Sequence, residues 1–126
     1  MHSSPWGAYS MSSCPVRIQL SRSKGFDLQA ASRALNGLPA VNVARPFKHG
    51  NPFTIAFCQA WFDVSPVAAR AKAVELFKEW RAGSLDKTWT SKEPPTVGDL
   101  RGKNLACWCP PGSPCHADVL LEQANQ

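Results

Sequence analysis

The stretch Val16-Arg17-Ile18-Gln19-Leu20-Ser21 alternates strictly, with Val16, Ile18 and Leu20 on one face and Arg17, Gln19 and Ser21 on the other. That period of two predicts a half-buried strand. Residues 22–40 carry Gly25, Gly37, Pro39 and scattered basic residues, and read as a surface loop with one helical turn around Leu28–Leu35. A second short strand is expected over Ala40–Ala44. It runs into Arg45-Pro46-Phe47-Lys48-His49-Gly50-Asn51-Pro52-Phe53, where two prolines and a glycine exclude regular structure and stiffen the backbone.

The clearest helix follows, with Ser65 as N-cap, Pro66 at the first helical position and Gly83 just past the end. Val67, Ala71, Val74 and Phe77, with Ala73, Leu76 and Trp80 one position round, form its expected buried stripe; Arg70, Lys72, Lys78, Glu79 and Arg81 lie largely off it and are expected in solvent. Thr96–Leu100 suits a single turn. Asn104–Cys109 is apolar on both faces, with Leu105, Cys107 and Cys109 one way and Ala106 and Trp108 the other, as in a strand at the centre of a covered sheet. A last helix is expected to begin with Ser113 as N-cap and Pro114 as first residue, docked by Ala117, Leu120, Leu121 and Ala124. The order β, β, α, β, α predicts an α/β fold: one small domain over residues 16–126, with a central mixed or parallel sheet and packed helices, Rossmann-like in outline. Residues 1–15 lack any period and read as a disordered or loosely docked tail.

A chain of 126 residues has room for one domain, and 44% hydrophobic with 18% charged residues is the composition of a folded protein. No apolar run approaches the roughly 20 residues of a membrane-spanning helix, and the N-terminus lacks the basic and apolar stretches of a signal peptide. No membrane partner is therefore expected, and the cytoplasm is the expected setting. The net charge of +5 lies wholly in residues 1–50, where Arg17, Arg22, Lys24, Arg33, Arg45 and Lys48 face Asp27 alone. This excess suggests an anionic partner such as a nucleotide or nucleic acid, or simply a solvated basic face.

Chemistry concentrates in Cys107-Trp108-Cys109-Pro110-Pro111-Gly112-Ser113-Pro114-Cys115-His116. As a metal site, Cys107, Cys109, Cys115 and His116 offer the ligand types that zinc prefers. Against this, Cys115 and His116, both placed at a helix start, diverge by about 100°. As a catalytic site, Cys115 in a first helical turn gains thiolate character from the helix amides, and His116 supplies an acid or base. Those amides also bind phosphate. Cys107 and Cys109, inside an apolar strand, read more simply as small buried hydrophobes.

The second constellation is the Arg45–Phe53 loop. Arg45 and Lys48 offer charged donors to a phosphate, Gly50 permits close backbone approach, and Asn51 can meet a base or ribose. Equally, Asn51 before Pro52 can serve only to tie its own turn. Phe47 and Phe53 read as plugs into the core, Trp61, Trp80 and Trp89 as packed, and Trp108 as interior. Arg17 and Gln19, on the polar face of the first strand, are candidates to line the same pocket or a plain solvent face. No Walker loop, dinucleotide glycine fingerprint, H-E-x-x-H or nucleophile elbow is present.

Three blocks, R-I-Q-L-S-R-x-K-G-F at Arg17–Phe26, R-P-x-K-x-G-N-P-F at Arg45–Phe53, and L-R-G-K-N-L-A-C-W-C-P with P-C-H-A-D-V-L-L-E at Leu100–Glu122, resemble the domain of unknown function 4326 family of phages and bacteria. The resemblance implies a phage or bacterial origin and an intracellular setting, and carries no activity. The family commonly has Trp where this chain has His49, which implies that His49 is no essential acid, base or ligand; Asp27–Leu38 also departs from the pattern. The C-terminal block is similar, too, to the cysteine-then-Cys-His segment of domain of unknown function 488. Two readings result. One is a domain that binds or processes a nucleotide or nucleic-acid component through Arg17, Gln19, Arg45, Lys48 and Asn51, with Cys115 and His116 as the catalytic pair and no cofactor. The other is a non-catalytic interaction module, zinc-stabilised or not, that binds a host protein or nucleic acid.

Overall fold

The computed structural model describes residues 14–126; the tail expected at the N-terminus lies, up to Ser13, outside the described residues. Three short strands, β1 (Arg17–Gln19), β2 (Ala40–Asn42) and β3 (Asn104–Cys107), form one sheet in the order β1-β3-β2, parallel throughout. Arg17 is in register with Leu105 and Ala40 with Asn104. Parallel neighbours need crossover connections. Helix α1 (Leu28–Asn36) bridges β1 to β2, while α2 (Ile55–Phe62), α3 (Pro66–Ala82) and a 3₁₀ turn at Gly98–Leu100 bridge β2 to β3; α4 (His116–Ala124) follows. The chain is thus a small α/β domain whose sheet is parallel.

β3 is buried along its whole length, as its apolar character on both faces requires. Leu105 and Cys107 enter the larger core with Phe77, Trp80, Leu100 and Leu120, whereas Ala106 meets Leu20 and Ala44 on the opposite face, where Ile18, Phe26 and Leu28 complete a second cluster. Helices α3 and α4 therefore cover one face of the sheet and the start of α1 the other.

Several local expectations change. The loop expected over residues 22–40 contains the nine-residue α1, capped by Asp27, whose carboxylate accepts from Ala30 N, and closed by Gly37 at φ 79°. Helix α2 had no counterpart in the sequence reading: Thr54 caps it and Asp63 ends it in the left-handed region, but its run IAFCQAWF is apolar on nearly every side and shows no stripe. On α3 the buried positions are Ala69, Ala73, Leu76, Phe77 and Trp80, while Val67 is 79% exposed, because the helix packs between α2 and α4 on a face slightly rotated from the expected one. Arg81 is not free in solvent; it donates to Gln123 Oε1 at 2.6 Å and Pro95 O at 3.0 Å, pinning α3 to α4 and to the connection that follows α3. Phe53 is a core plug but Phe47 is half exposed. Trp61 and Trp108 are likewise exposed, Trp61 against Phe57 and Trp89, and Trp108 beneath the Arg22 guanidinium at 4.4 Å.

The polar centre of the fold is Asn104, fully buried at the start of β3. Its Oδ1 accepts from Val16 N and Asn36 Nδ2, both at 2.9 Å, and its Nδ2 donates to Ser32 Oγ at 2.7 Å and Asn36 Oδ1 at 2.8 Å. One amide thereby ties β3 to the chain entering β1 and to α1, with every donor and acceptor satisfied. Gln29 treats the other edge similarly, clasping Ala40 through both its N–H and its carbonyl.

Asn104→Ala removes this hub and strands its buried partners, so a loss of about 3 kcal/mol is expected in denaturant unfolding. A second test concerns Asp99, which accepts from the buried His49 Nε2 at 3.1 Å and pairs with Lys48 at 3.2 Å. The His49 bond, with Lys48 adding, holds Asp99 below its ordinary value of 3.8. Its folded form thus binds protons less readily than its unfolded form, and the contribution is complete above that ordinary value and lost as pH falls through the depressed one. Asp99→Asn should accordingly flatten the acid limb of a stability-against-pH profile.

Candidate functional site

At the carboxyl ends of the strands, where open α/β sheets take their ligands, the loop after β2, the face of α3 and the β3-to-α4 junction enclose a cleft of about 210 Å³. Arg45, Asn51 and Phe53 come from the first, Arg70, Ala73 and Val74 from the second, and Cys107, Trp108, Cys109, Pro114, Cys115 and His116 from the third.

The junction is built around Cys115. Ser113 does not cap the helix; its hydroxyl donates back to Pro110 O at 2.7 Å and closes the loop. The chain then passes Pro114, and Cys115 becomes the N-cap in extended geometry (φ −151°, ψ 141°), without a side-chain capping bond. A divergence of about 100° holds only for two residues within one helix. Because Cys115 lies outside α4, its sulfur turns back to β3 and sits 2.9 Å from Cys107 Sγ, and the sulfurs of Cys107, Cys109 and Cys115 all lie within 4.8 Å of one another. All three are free thiols.

These thiols are electrostatically unequal. Hydrogen bonds from Cys107 and Cys115 pull Cys109 far below the ordinary thiol range, and Arg70 and His116 add to this. Cys107 is pushed up by the bonds it donates to Cys109 and Cys115 and by burial. At Cys115 the bond with Cys107 acts downward, but the bond to Cys109 and burial outweigh it and leave the thiol raised. Of the three thiols Cys109 is the one drawn downward, and it is also the least buried.

His116 is buried, and burial lowers its pKa despite its bond to Val43 O. Nε2 donates to that carbonyl at 2.7 Å, which leaves Nδ1 as an acceptor 3.8 Å from Cys115 Sγ. The ring is thus a neutral base turned toward the sulfurs, braced from the side of β2.

The basic and polar candidates separate. Arg45 lines the cleft, its Nη1 donating to Asn51 O at 2.7 Å. Asn51 also lines it, but its amide is engaged: Nδ2 donates to Ala73 O and Oδ1 accepts from Phe53 N, which moors the loop to α3. Arg17 lies outside the lining; it donates to Ser113 O, Pro110 O and Asp118 Oδ2 and so clamps the junction from below. Gln19 is exposed on β1 and Lys48 is paired with Asp99, neither in the cleft. Arg70 is the residue that the sequence reading missed. It sits one helical turn before Ala73 and Val74, which share the cleft, and that spacing was the available signal.

Gly50 approaches the loop itself rather than a ligand: a Cβ there would stand 3.0 Å from Arg45 Cγ and 3.1 Å from Arg45 Cα. Gly50→Ala is expected to cost about 1–3 kcal/mol through this crowding, read as a lower midpoint in chemical denaturation.

No helix among the described residues is long and apolar enough to cross a membrane. No curated protein and no solved structure matches the chain. Residues 18–126 match the family described as Domain of unknown function (DUF4326). With nearly the whole chain matched, including the junction that carries the cysteines, the protein belongs to the DUF4326 family.

Proposed function

We propose that the cleft binds a nucleotide or a phosphate-bearing nucleic-acid component. The observation that carries this reading is the meeting of Arg45 and Arg70 in one cleft at the carboxyl ends of parallel strands, with no carboxylate partner for either among the described residues. Two guanidiniums without a carboxylate partner offer forked donors to a phosphate. Phe53, Ile55, Val74 and Trp108 supply an apolar wall for a base or sugar. At about 210 Å³ the space is smaller than the roughly 300–1,000 Å³ of drug-sized sites. Its occupant is then a single nucleotide or a part of one, and a longer strand would enter only by one unit. With the three thiols free of metal, Cys109 is the least enclosed candidate nucleophile and His116 Nδ1, 3.8 Å from Cys115 Sγ, is the base beside the cluster; a metal on the sulfurs would replace this role.

Calorimetric titration of the purified protein with nucleoside mono-, di- and triphosphates, and with the bare nucleosides, tests the reading. Phosphorylated ligands should bind and the nucleosides should not, with Arg70→Ala weakening affinity at least tenfold at unchanged stability. Equal binding by the Arg70→Ala protein would refute it.

A further inference from the structure

We propose that Cys107, Cys109 and Cys115 together form a three-thiolate site for zinc, with the fourth coordination position facing the cleft that Arg45 and Arg70 line. The site stands on the sulfurs themselves; it deepens the ligand reading above only by naming a cation that would share the cleft.

The three sulfurs converge as free thiols: Cys107 and Cys115 lie 2.9 Å apart with Cys109 within 4.8 Å of both, and a disulfide, which joins two sulfurs at about 2.05 Å, would leave the third unmatched. Bonds of about 2.3 Å in a tetrahedron place neighbouring sulfurs roughly 3.8 Å apart. The cluster reaches that spacing by small side-chain movements, because the backbone already aims all three inward. The residues come from the end of β3, from the turn after it and from the N-cap of α4, a frame that Arg17 braces through Ser113 O, Pro110 O and Asp118. Soft thiolates select zinc over the hard cations that prefer oxygen.

The chemistry balances without an oxidant. A divalent zinc ion displaces three S–H protons to solvent, three Zn–S bonds form, and the centre is left with one net negative charge. Arg45 and Arg70 are placed to offset it and still favour an anion. His116 does not close the tetrahedron. Its Nδ1 is 3.8 Å from Cys115 Sγ but falls outside the set of mutually close ligand atoms, and its Nε2 is bonded to Val43 O. Three protein ligands with an accessible fourth position are the arrangement of reactive rather than purely structural zinc.

The test begins with full-length protein stripped by chelator under reducing conditions and titrated with zinc or cobalt(II). The expected result is one metal per chain, thiolate-to-cobalt charge-transfer bands, and protection of Cys109 from alkylation by bound zinc. Cys109→Ser, at the least buried of the three positions, should weaken zinc binding at least tenfold; alkylation protection in the unmodified chain provides the same information should that variant fail to fold. Imidazole added to the cobalt form should shift its spectrum by entering the fourth position. An unchanged spectrum at saturating imidazole would overturn the open position. Absence of stoichiometric metal, with Cys109 alkylated equally with and without zinc, would overturn the site. Nucleotide titration of the stripped protein separates the two ideas: phosphate ligands that bind without metal leave the cleft reading standing if zinc fails, and zinc that binds to a protein indifferent to nucleotides leaves the metal site standing alone.

Discussion

Everything at the cleft depends on where β3 sits, and β3 is held by the side chain of Asn104. A buried amide with all its hydrogen bonds made is stable, but one shifted by a residue would leave several polar groups unpaired, each costing about 1–3 kcal/mol. The bonds to Val16 N, Ser32 and Asn36 therefore act as a register lock. Three residues further along the same strand comes Cys107, so the position of the cysteine cluster follows from a polar network at the strand's opposite end. The apolar faces add strength to the sheet, yet β3 is apolar on both sides and its pattern alone does not choose between registers.

The elements with a single clear signal were legible in the sequence. The alternation of Val16–Ser21, the two-faced apolar run Asn104–Cys109, whose strand ends at Cys107, and the Ser65-Pro66 start with Gly83 at the end each correspond to a described element. The parts that escaped had signals of another kind. Helix α2 has a cap at Thr54 but an almost uniformly apolar body, so periodicity has nothing to detect. Helix α1 has both Asp27 and Gly37 at its ends, yet its basic and small residues resemble a loop in composition.

At the site, the loop bearing Arg45 and the cysteine junction could be named from residues alone, but their relation could not. Cys115 illustrates the reason. Counting residues from Ser113 gives a helix two residues too early, since that hydroxyl has a better acceptor at Pro110, and this local competition between cap and turn decides where the sulfur points. Arg70 and Arg17 were similarly ambiguous. A basic residue on a helix or a strand gives no indication of whether it meets solvent, a carbonyl or a cleft until the neighbouring elements are in place.

The three sulfurs are drawn from a span of nine residues, 107–115, whereas the two arginines stand in elements far apart in the chain. The cluster is thus a local assembly, and the anion site a global one. Ordering a short loop costs little chain entropy, whereas bringing residues 45 and 70 to that loop requires the whole domain. Occupancy of the two would register differently in amide exchange: a ligand spanning the arginines slows opening events throughout the sheet, while anything held by the cysteines alone quiets chiefly the junction and the first turn of α4. The protein would therefore have two levels of cooperativity, one belonging to a loop and one to the fold.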